Sequence, residues 1–251
     1  MATLSTPRRL SEAVGAWMHL EYCCYRAGLF SESALKASIG HILSTTPIKT
    51  PGAKVHAEFK NPALNTQRRS GAPNKVDFAL VLKDSKADGE VYIETKWAGS
   101  SHCKGSEILK DFIRLGNIKK AEPSSKCIFL IAGKSTLLNP TLKKFPFRTL
   151  SQKPNGFQLT RGEVKTTFNN LDSIYFSKAS PVFSQLIDAG IIIPEYLTTC
   201  CHGIYPTENN LQDARFQAVA WEIIGVGREI KKSLWYREKD KSTKNKNRAK
   251  K

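Results

Sequence analysis

Hydrophobic and polar positions alternate along much of this chain in patterns that name their own elements. Two apolar runs, residues 76–82 (VDFALVL) and 91–97 (VYIETKW), flank a polar segment containing Asp84, Ser85, Asp88 and Gly89. Runs of that length around turn-forming residues predict a β-hairpin. With the turn centred between Lys86 and Ala87, Asp77 lies opposite Lys96 and Ala79 opposite Glu94. Side chains alternate along a strand, so Asp77, Ala79 and Val81 share a face with Tyr92, Glu94 and Lys96. The other face sets Val76, Phe78, Leu80 and Leu82 against Val91, Ile93, Thr95 and Trp97. It is almost wholly apolar and suits a core.

Helical spacing governs the flanks. A first helix starts at Thr6-Pro7, or at Ser11 with Glu12 in its first turn, and runs to about Ala27 before Gly28. Its stripe reads Leu10, Val14, Trp17, Cys24 and Gly28, with Glu21 on the same stripe. Residues 31–43 predict a second helix capped by Ser31, with Leu35, Ile39, Ile42 and Leu43 inward. Residues 45–52 read as a loop. Residues 55–59 form a first strand, with Val55, Ala57 and Phe59 on one side and His56, Glu58 and Lys60 on the other. Residues 61–75 are a polar loop leading to the hairpin. Residues 106–120 predict a helix capped by Ser106, with Ile108, Leu109, Phe112, Ile113 and Leu115 inward and Lys110, Arg114, Lys119 and Lys120 outward. The continuous apolar run 127–132 (CIFLIA) reads as a central strand buried on both faces, ended by Gly133. Further on, residues 138–156 read as irregular. Residues 180–189 read as a helix with Val182, Phe183, Leu186 and Ile187 inward, residues 196–200 as a strand, and residues 216–224 as a final strand, less readily a helix.

The hairpin face carries chemistry. Two carboxylates and an ammonium on neighbouring rungs sit at backbone separations of about 7 Å, close enough to converge. Charges on a hydrophobic hairpin are costly unless paired or bound. Oxygen ligands of this kind suit a hard divalent cation, which can turn water into hydroxide and neutralise phosphate charge; the lysine can orient the water or stabilise the transition state. A carboxylate–x–Lys triplet occurs five times, at Glu58, Asp84, Glu94, Glu163 and Glu229. Only Glu94-Thr95-Lys96 follows an apolar strand paired with another that bears an in-phase aspartate. Asp77 followed by Glu94-Thr95-Lys96 resembles the PD-(D/E)xK, or restriction-endonuclease-like, nuclease superfamily over roughly residues 11–133. Val76 stands where the family name has proline.

That resemblance implies an α/β (α+β) core, a central mixed sheet flanked by helices in the order helix, three strands, helix, strand. It implies Asp77 and Glu94 as metal ligands, with the Thr95 carbonyl as a further one, and Lys96 as the residue that activates or orients water. It also implies a glutamate on the first helix as a helper; Glu21 is the candidate and Glu12 the runner-up. Magnesium, or manganese, is the implied cofactor. Residues 1–230 would form one nuclease-like domain, its core at about 11–133 and a C-terminal elaboration at 134–230.

Charge points the same way. The chain has 251 residues and a net charge of +17, an excess that favours a polyanionic partner. Residues 231–251 hold ten basic and two acidic side chains, a tail with +8 of that total suited to salt-sensitive nucleic-acid affinity. Arg68, Arg69, Lys75, Lys104 and Lys110 are candidate phosphate contacts. No apolar run reaches membrane-spanning length, and no signal-peptide core opens the sequence. Six cysteines without a C-x-x-C spacing read as free thiols in a reducing, cytoplasmic setting; Cys200-Cys201-His202 alone is a poor zinc site. The expectation is a metal-dependent endonuclease acting on DNA rather than RNA, in restriction, anti-phage defence or repair. A homodimer would suit double-strand cutting. The alternatives are a non-catalytic nucleic-acid-binding module and a subunit of a larger nucleoprotein complex.

Overall fold

The strand at residues 126–134 organises the structure. Residues 127–133 of this strand, β4 (Lys126–Lys134), are all buried. A run of Cys, Ile, Phe, Leu, Ile and Ala offers apolar atoms to both faces, so it can only sit mid-sheet with layers on either side. The computed structural model describes residues 5–45, 52–64, 75–82, 91–147, 164–169, 173–207 and 215–230. Within them the order is α1 (Thr6–Cys23), α2 (Glu32–Thr45), β1 (Ala53–Lys60), β2 (Lys75–Leu82), β3 (Val91–Ala98), α3 (Gly105–Ala121), β4, α4 (Ser135–Leu142), β5 (Val164–Asn169), α5 (Ser173–Asp188), β6 (Tyr196–Tyr205) and β7 (Phe216–Val226). One seven-stranded mixed sheet runs β1-β2-β3-β4-β7-β6-β5. The β3–β4 pair is parallel and the others antiparallel. The parallel crossover is made by α3.

Helices cover both faces. α1 and α2 pack Leu10, Val14, Met18, Leu35, Ile39 and Leu43 on Phe78, Leu80, Ile93, Ile128 and Leu130. On the opposite face α3, α4 and α5 meet Tyr92, Phe129, Ile131 and Trp221. Thus both sides of the hairpin are core, not one. No described helix is long and apolar enough to cross a membrane.

Several expectations hold. β4 and β7 are strands, and Ser31 caps α2, its Oγ accepting from the Ala34 N–H at 3.1 Å. Others need correction. The hairpin pairs Phe78 with Ile93 and Ala79 with Tyr92, a register two residues from the expected one. An even shift keeps each side chain on its face but changes its partner. Asp77 therefore falls level with Glu94, not Lys96. The buried stripe of α1 follows Leu10, Val14 and Met18, an i, i+4, i+8 line that leaves Glu21 at the helix edge and Cys24 outside the helix. α3 begins at Gly105, so Ser106 lies inside it and is not its cap. Residues 138–142, the start of the stretch expected to be irregular, belong to α4: Leu138 and Leu142 bury one turn apart, and Pro140 costs one backbone bond without breaking the helix. α5 starts before Pro181, at Ser173, and β5 was not foreseen. Of the loop expected over 45–52, Thr45 ends α2 and residues 46–51 lie outside the described residues, as does the tail 231–251.

The most consequential correction concerns β1. Val55 packs on the α1/α2 side, but Phe59 packs on the other, its ring 6.0 Å from Tyr92. Between them Glu58 has φ +52, the left-handed region, which costs a non-glycine residue about 1 kcal/mol or more. Strand alternation is broken there. The neighbouring strand does the same: Val76 joins the α3-side core while Phe78 joins the other. Ala57 pairs with Phe78 and Phe59 with Val76, so the rung at which both strands change face is the one holding Glu58 and Asp77.

Candidate active site

Asp77 stands where β2 and β3 part, one residue beyond their last paired rung, Phe78–Ile93. Its side chain is held from β3 and from a helix. Oδ2 accepts from the Thr95 N–H at 2.8 Å and the Thr95 hydroxyl at 2.9 Å. Oδ1 accepts from Lys36 Nζ of α2 at 2.6 Å. The same ammonium lies 3.8 Å from Glu58 Oε1, and Lys75 Nζ lies 3.9 Å from Glu58 Oε2. Asp77 and Lys36 are largely and partly buried; Glu58 is exposed.

On the face covered by α3, Glu94 and Lys96 meet two residues of that helix. Arg114 Nη2 is 2.7 Å from Glu94 Oε1, and Lys96 Nζ is 2.7 Å from Asp111 Oδ2. Arg114 also donates through Nη1 to Asp111 Oδ1 at 3.2 Å. Glu94 and Asp111 are buried, with side-chain exposures of 3% and 4%. Glu94 Oε1 and Asp111 Oδ2 accept no aligned hydrogen bond despite these close charges. The chain Lys96–Asp111–Arg114–Glu94 thus joins two close ion pairs through the Arg114–Asp111 hydrogen bond.

The electrostatics follow from burial and proximity. Burial pushes the Glu94 carboxyl well above the usual carboxylate range, and repulsion from Asp111 adds to it; Arg114 opposes both. Asp111 is raised by burial too, with Lys96 and Arg114 pulling it back. Burial alone would lower Lys96, but Asp111, Glu94 and Asp77 outweigh that and raise it above an ordinary lysine. Arg114 and Lys36 are raised in the same way, against burial, by their carboxylate partners.

The sequence-predicted residues divide. Asp77, Glu94, Thr95 and Lys96 gather at the parting of the strands. Glu21 does not join them: its carboxylate is held by Arg26 at 2.6 and 2.9 Å. Glu12 pairs with Arg8 at 2.9 Å. Among the nucleic-acid candidates, Lys75 flanks the site through Glu58, Lys104 is exposed just before α3, and Lys110 pairs with Glu107 at 2.8 Å. Arg68 and Arg69 lie outside the described residues. Sequence reasoning missed Asp111 and Lys36, and took Arg114 for part of an outer face. Asp111 had a signal. Ile108, Asp111 and Leu115 share a helical stripe, so a carboxylate stood in the buried line of α3.

No family model, curated protein or solved structure matches the chain. The site must be read from its own chemistry. Among the described residues no group of three or more His, Cys, Asp or Glu is arranged to hold a metal ion. What the structure brings together is a pair, Asp77 and Glu94, supported by Thr95. These are hard oxygen donors of the type magnesium accepts, and it commonly uses only one or two protein carboxylates. Glu94 Oε1 already meets Arg114 Nη2 at 2.7 Å, so a cation held there would share that carboxyl group with the guanidinium. Cys200, Cys201 and His202 are buried, and His202 Nδ1 lies 3.1 Å from Ser5 Oγ.

Proposed function

We propose that this chain is a magnesium- or manganese-dependent nuclease that hydrolyses phosphodiester bonds, DNA being the favoured substrate. One observation carries the reading. Asp77, Glu94 and Lys96 are gathered with Thr95 where β2 and β3 part, largely buried and costly to keep there. The order α1, α2, β1, β2, β3, α3, β4 is compatible with a restriction-endonuclease-like core, with α2 inserted between the first helix and the strands. Asp77 and Glu94, with the Thr95 carbonyl, would hold the cation. A bound divalent ion supplies a nucleophilic hydroxide and charge neutralisation at phosphorus.

The chain's own residues do the rest. Thr95 fixes the Asp77 carboxylate through two donors, so one ligand is oriented before anything binds. Lys96 is held protonated by its acidic neighbours, so it acts as a cation that orients water or balances phosphate charge, not as a general base. Asp111 positions it from α3. The net charge of +17, Lys75 and Lys104 at the surface, and the basic sequence at 231–251 would bring the polyanion in.

The test is relaxation of supercoiled plasmid by wild type, Glu94→Gln and Lys96→Met, each with magnesium or EDTA, after circular dichroism has shown that all are folded. Cleavage by wild type with magnesium alone, lost in both variants, is the expected result. Variants that cut as well as wild type would sink the assignment.

A second reading has its own support. Three carboxylates face three cations: Asp77 with Lys36, Asp111 with Lys96, Glu94 with Arg114. A cluster balanced in this way needs no metal, as expected of a nucleic-acid-binding module whose charges are structural. Such a module would bind DNA equally with magnesium or EDTA and would not cut it.

A further inference from the structure

The two oxygens of Asp77 are held by groups of different mobility. On Oδ2 the donors are the Thr95 N–H and hydroxyl, part of the β3 backbone and a fully buried side chain. On Oδ1 the donor is Lys36 Nζ, the tip of a long side chain that is 34% exposed. A second anion waits beside that ammonium: Glu58 Oε1, 3.8 Å away on a side chain that is 58% exposed. Glu58 is brought there by a backbone conformation that L residues rarely adopt, φ +52 in mid-strand. Outliers of that kind persist where the surroundings hold them and cluster at sites of function. Lys75 engages the other oxygen of Glu58 at 3.9 Å, and Glu32, whose Oε2 accepts from Ser100 Oγ at 2.7 Å, adds a weaker attraction on Lys36.

We propose that Lys36 is the displaceable counter-ion of Asp77 and that Glu58 is its acceptor. When a divalent cation is held by Asp77 and Glu94, the Lys36 ammonium passes from Asp77 Oδ1 to Glu58. This rests on the metal-dependent reading given above. An ammonium at 2.6 Å from Oδ1 and a divalent ion on the same oxygen repel strongly in a partly desolvated site. One of them has to leave, and the lysine has rotatable bonds and a second carboxylate within reach. Lys36 then acts as a built-in competitor that weakens cation binding, and Glu58 reduces that competition by receiving it. Thr95 keeps Asp77 in place throughout.

The test is manganese binding, measured by electron paramagnetic resonance of the free ion and by calorimetry, with no nucleic acid present. Wild type, Lys36→Met, Glu58→Gln, the double variant and Asp77→Asn are compared, with circular dichroism to show that each is folded. Lys36→Met should bind about ten- to a hundredfold tighter, since a charge-assisted hydrogen bond no longer has to be given up. Glu58→Gln should bind about two- to fivefold weaker, the effect of an exposed ion pair. In the double variant the Glu58 effect should vanish, because there is no ammonium left to receive. Asp77→Asn should abolish site binding. If Asp77→Asn abolishes it but Lys36→Met binds as wild type or weaker, the counter-ion role is overturned while the metal-dependent reading stands. If Asp77→Asn binds manganese as well as wild type does, or none of the proteins binds it, the metal-dependent reading falls and takes the counter-ion role with it.

Discussion

Arg114→Met tests the buried charge network most directly. In wild type Arg114 approaches Glu94 Oε1 at 2.7 Å and Asp111 Oδ1 at 3.2 Å. Methionine keeps much of the stem's volume and removes the charge, leaving two carboxylates that face each other with 3–4% side-chain exposure. Breaking a buried pair by deleting one partner costs about 3–5 kcal/mol. Lys96 still compensates Asp111, so the lower end, about 3 kcal/mol at neutral pH, is expected. For a chain of this size that lowers Tm by about 6–12 °C. The pH dependence is the sharper signature. The folded-state values of Glu94 and Asp111 lie above their unfolded ones, by burial first. The folded chain therefore binds more protons than the unfolded chain across the window between those values. Stability from these groups is greatest below the unfolded value and falls as pH rises through the window. Arg114 narrows that window by favouring the charged forms. Its loss widens the window upward, so the deficit of the variant is small near about pH 4.5 and grows toward pH 8. Urea unfolding followed by circular dichroism at those two pH values measures it. Adding Glu94→Gln to Arg114→Met should recover part of the loss, giving a coupling energy of about 1–3 kcal/mol. A deficit below about 0.5 kcal/mol, or one equal at both pH values, would refute the network.

Two further outcomes are expected. A Cβ at Gly105 would overlap the Phe145 carbonyl oxygen, whereas Gly28 has open space; Gly105→Ala should cost about 1–3 kcal/mol and Gly28→Ala under about 0.5, read from urea unfolding. Of the six cysteines, Cys23 and Cys24 are exposed, while burial pushes Cys103 up to about 11 and Cys127 and Cys201 up to about 12; Ellman's reagent at pH 8 should therefore label two thiols rapidly and the buried ones only on unfolding, and fast labelling of Cys127 or Cys201 would contradict the packing.

The sequence carried the periodicities and not the breaks in them. Apolar patterning was enough to place the strands at 76–82, 91–97, 127–132 and 216–224, the unbroken run at 127–132 because a stretch of that length buried on both faces has few other readings. The register of the hairpin was not legible: it depends on the geometry of the connection between β2 and β3, and a two-residue slip changes partners while leaving the hydrophobic pattern intact. Nor could the switch of face at Glu58 and Asp77 be read, since nothing in a glutamate announces a left-handed backbone. Asp77, Glu94, Thr95 and Lys96 were legible as a set because three of them share one triplet and the fourth follows from pairing. Asp111 was equally legible by helical spacing. The rule applied to Glu21, a carboxylate on an apolar stripe, holds for Asp111 on α3 and fails for Glu21, whose helix buries a line displaced from it.

The face switch also explains how one carboxylate can serve two layers. On a regularly alternating strand Asp77 would project into the α3 layer with Ala79, and Lys36 of α2 would be on the far side of the sheet. With alternation broken at Asp77, its carboxylate accepts from Lys36 on one side while still acting electrostatically on Glu94, Asp111 and Arg114 on the other. The break lies where β2 and β3 cease to pair, one residue beyond Phe78–Ile93. Replacement of buried ion pairs by apolar side chains of similar volume is often neutral or stabilising. Stability alone is therefore a weak reason for the buried Glu94 and Asp111 carboxylates, which stand beside the parting of β2 and β3 in a mostly apolar core. A role in binding or catalysis is the one we propose for them.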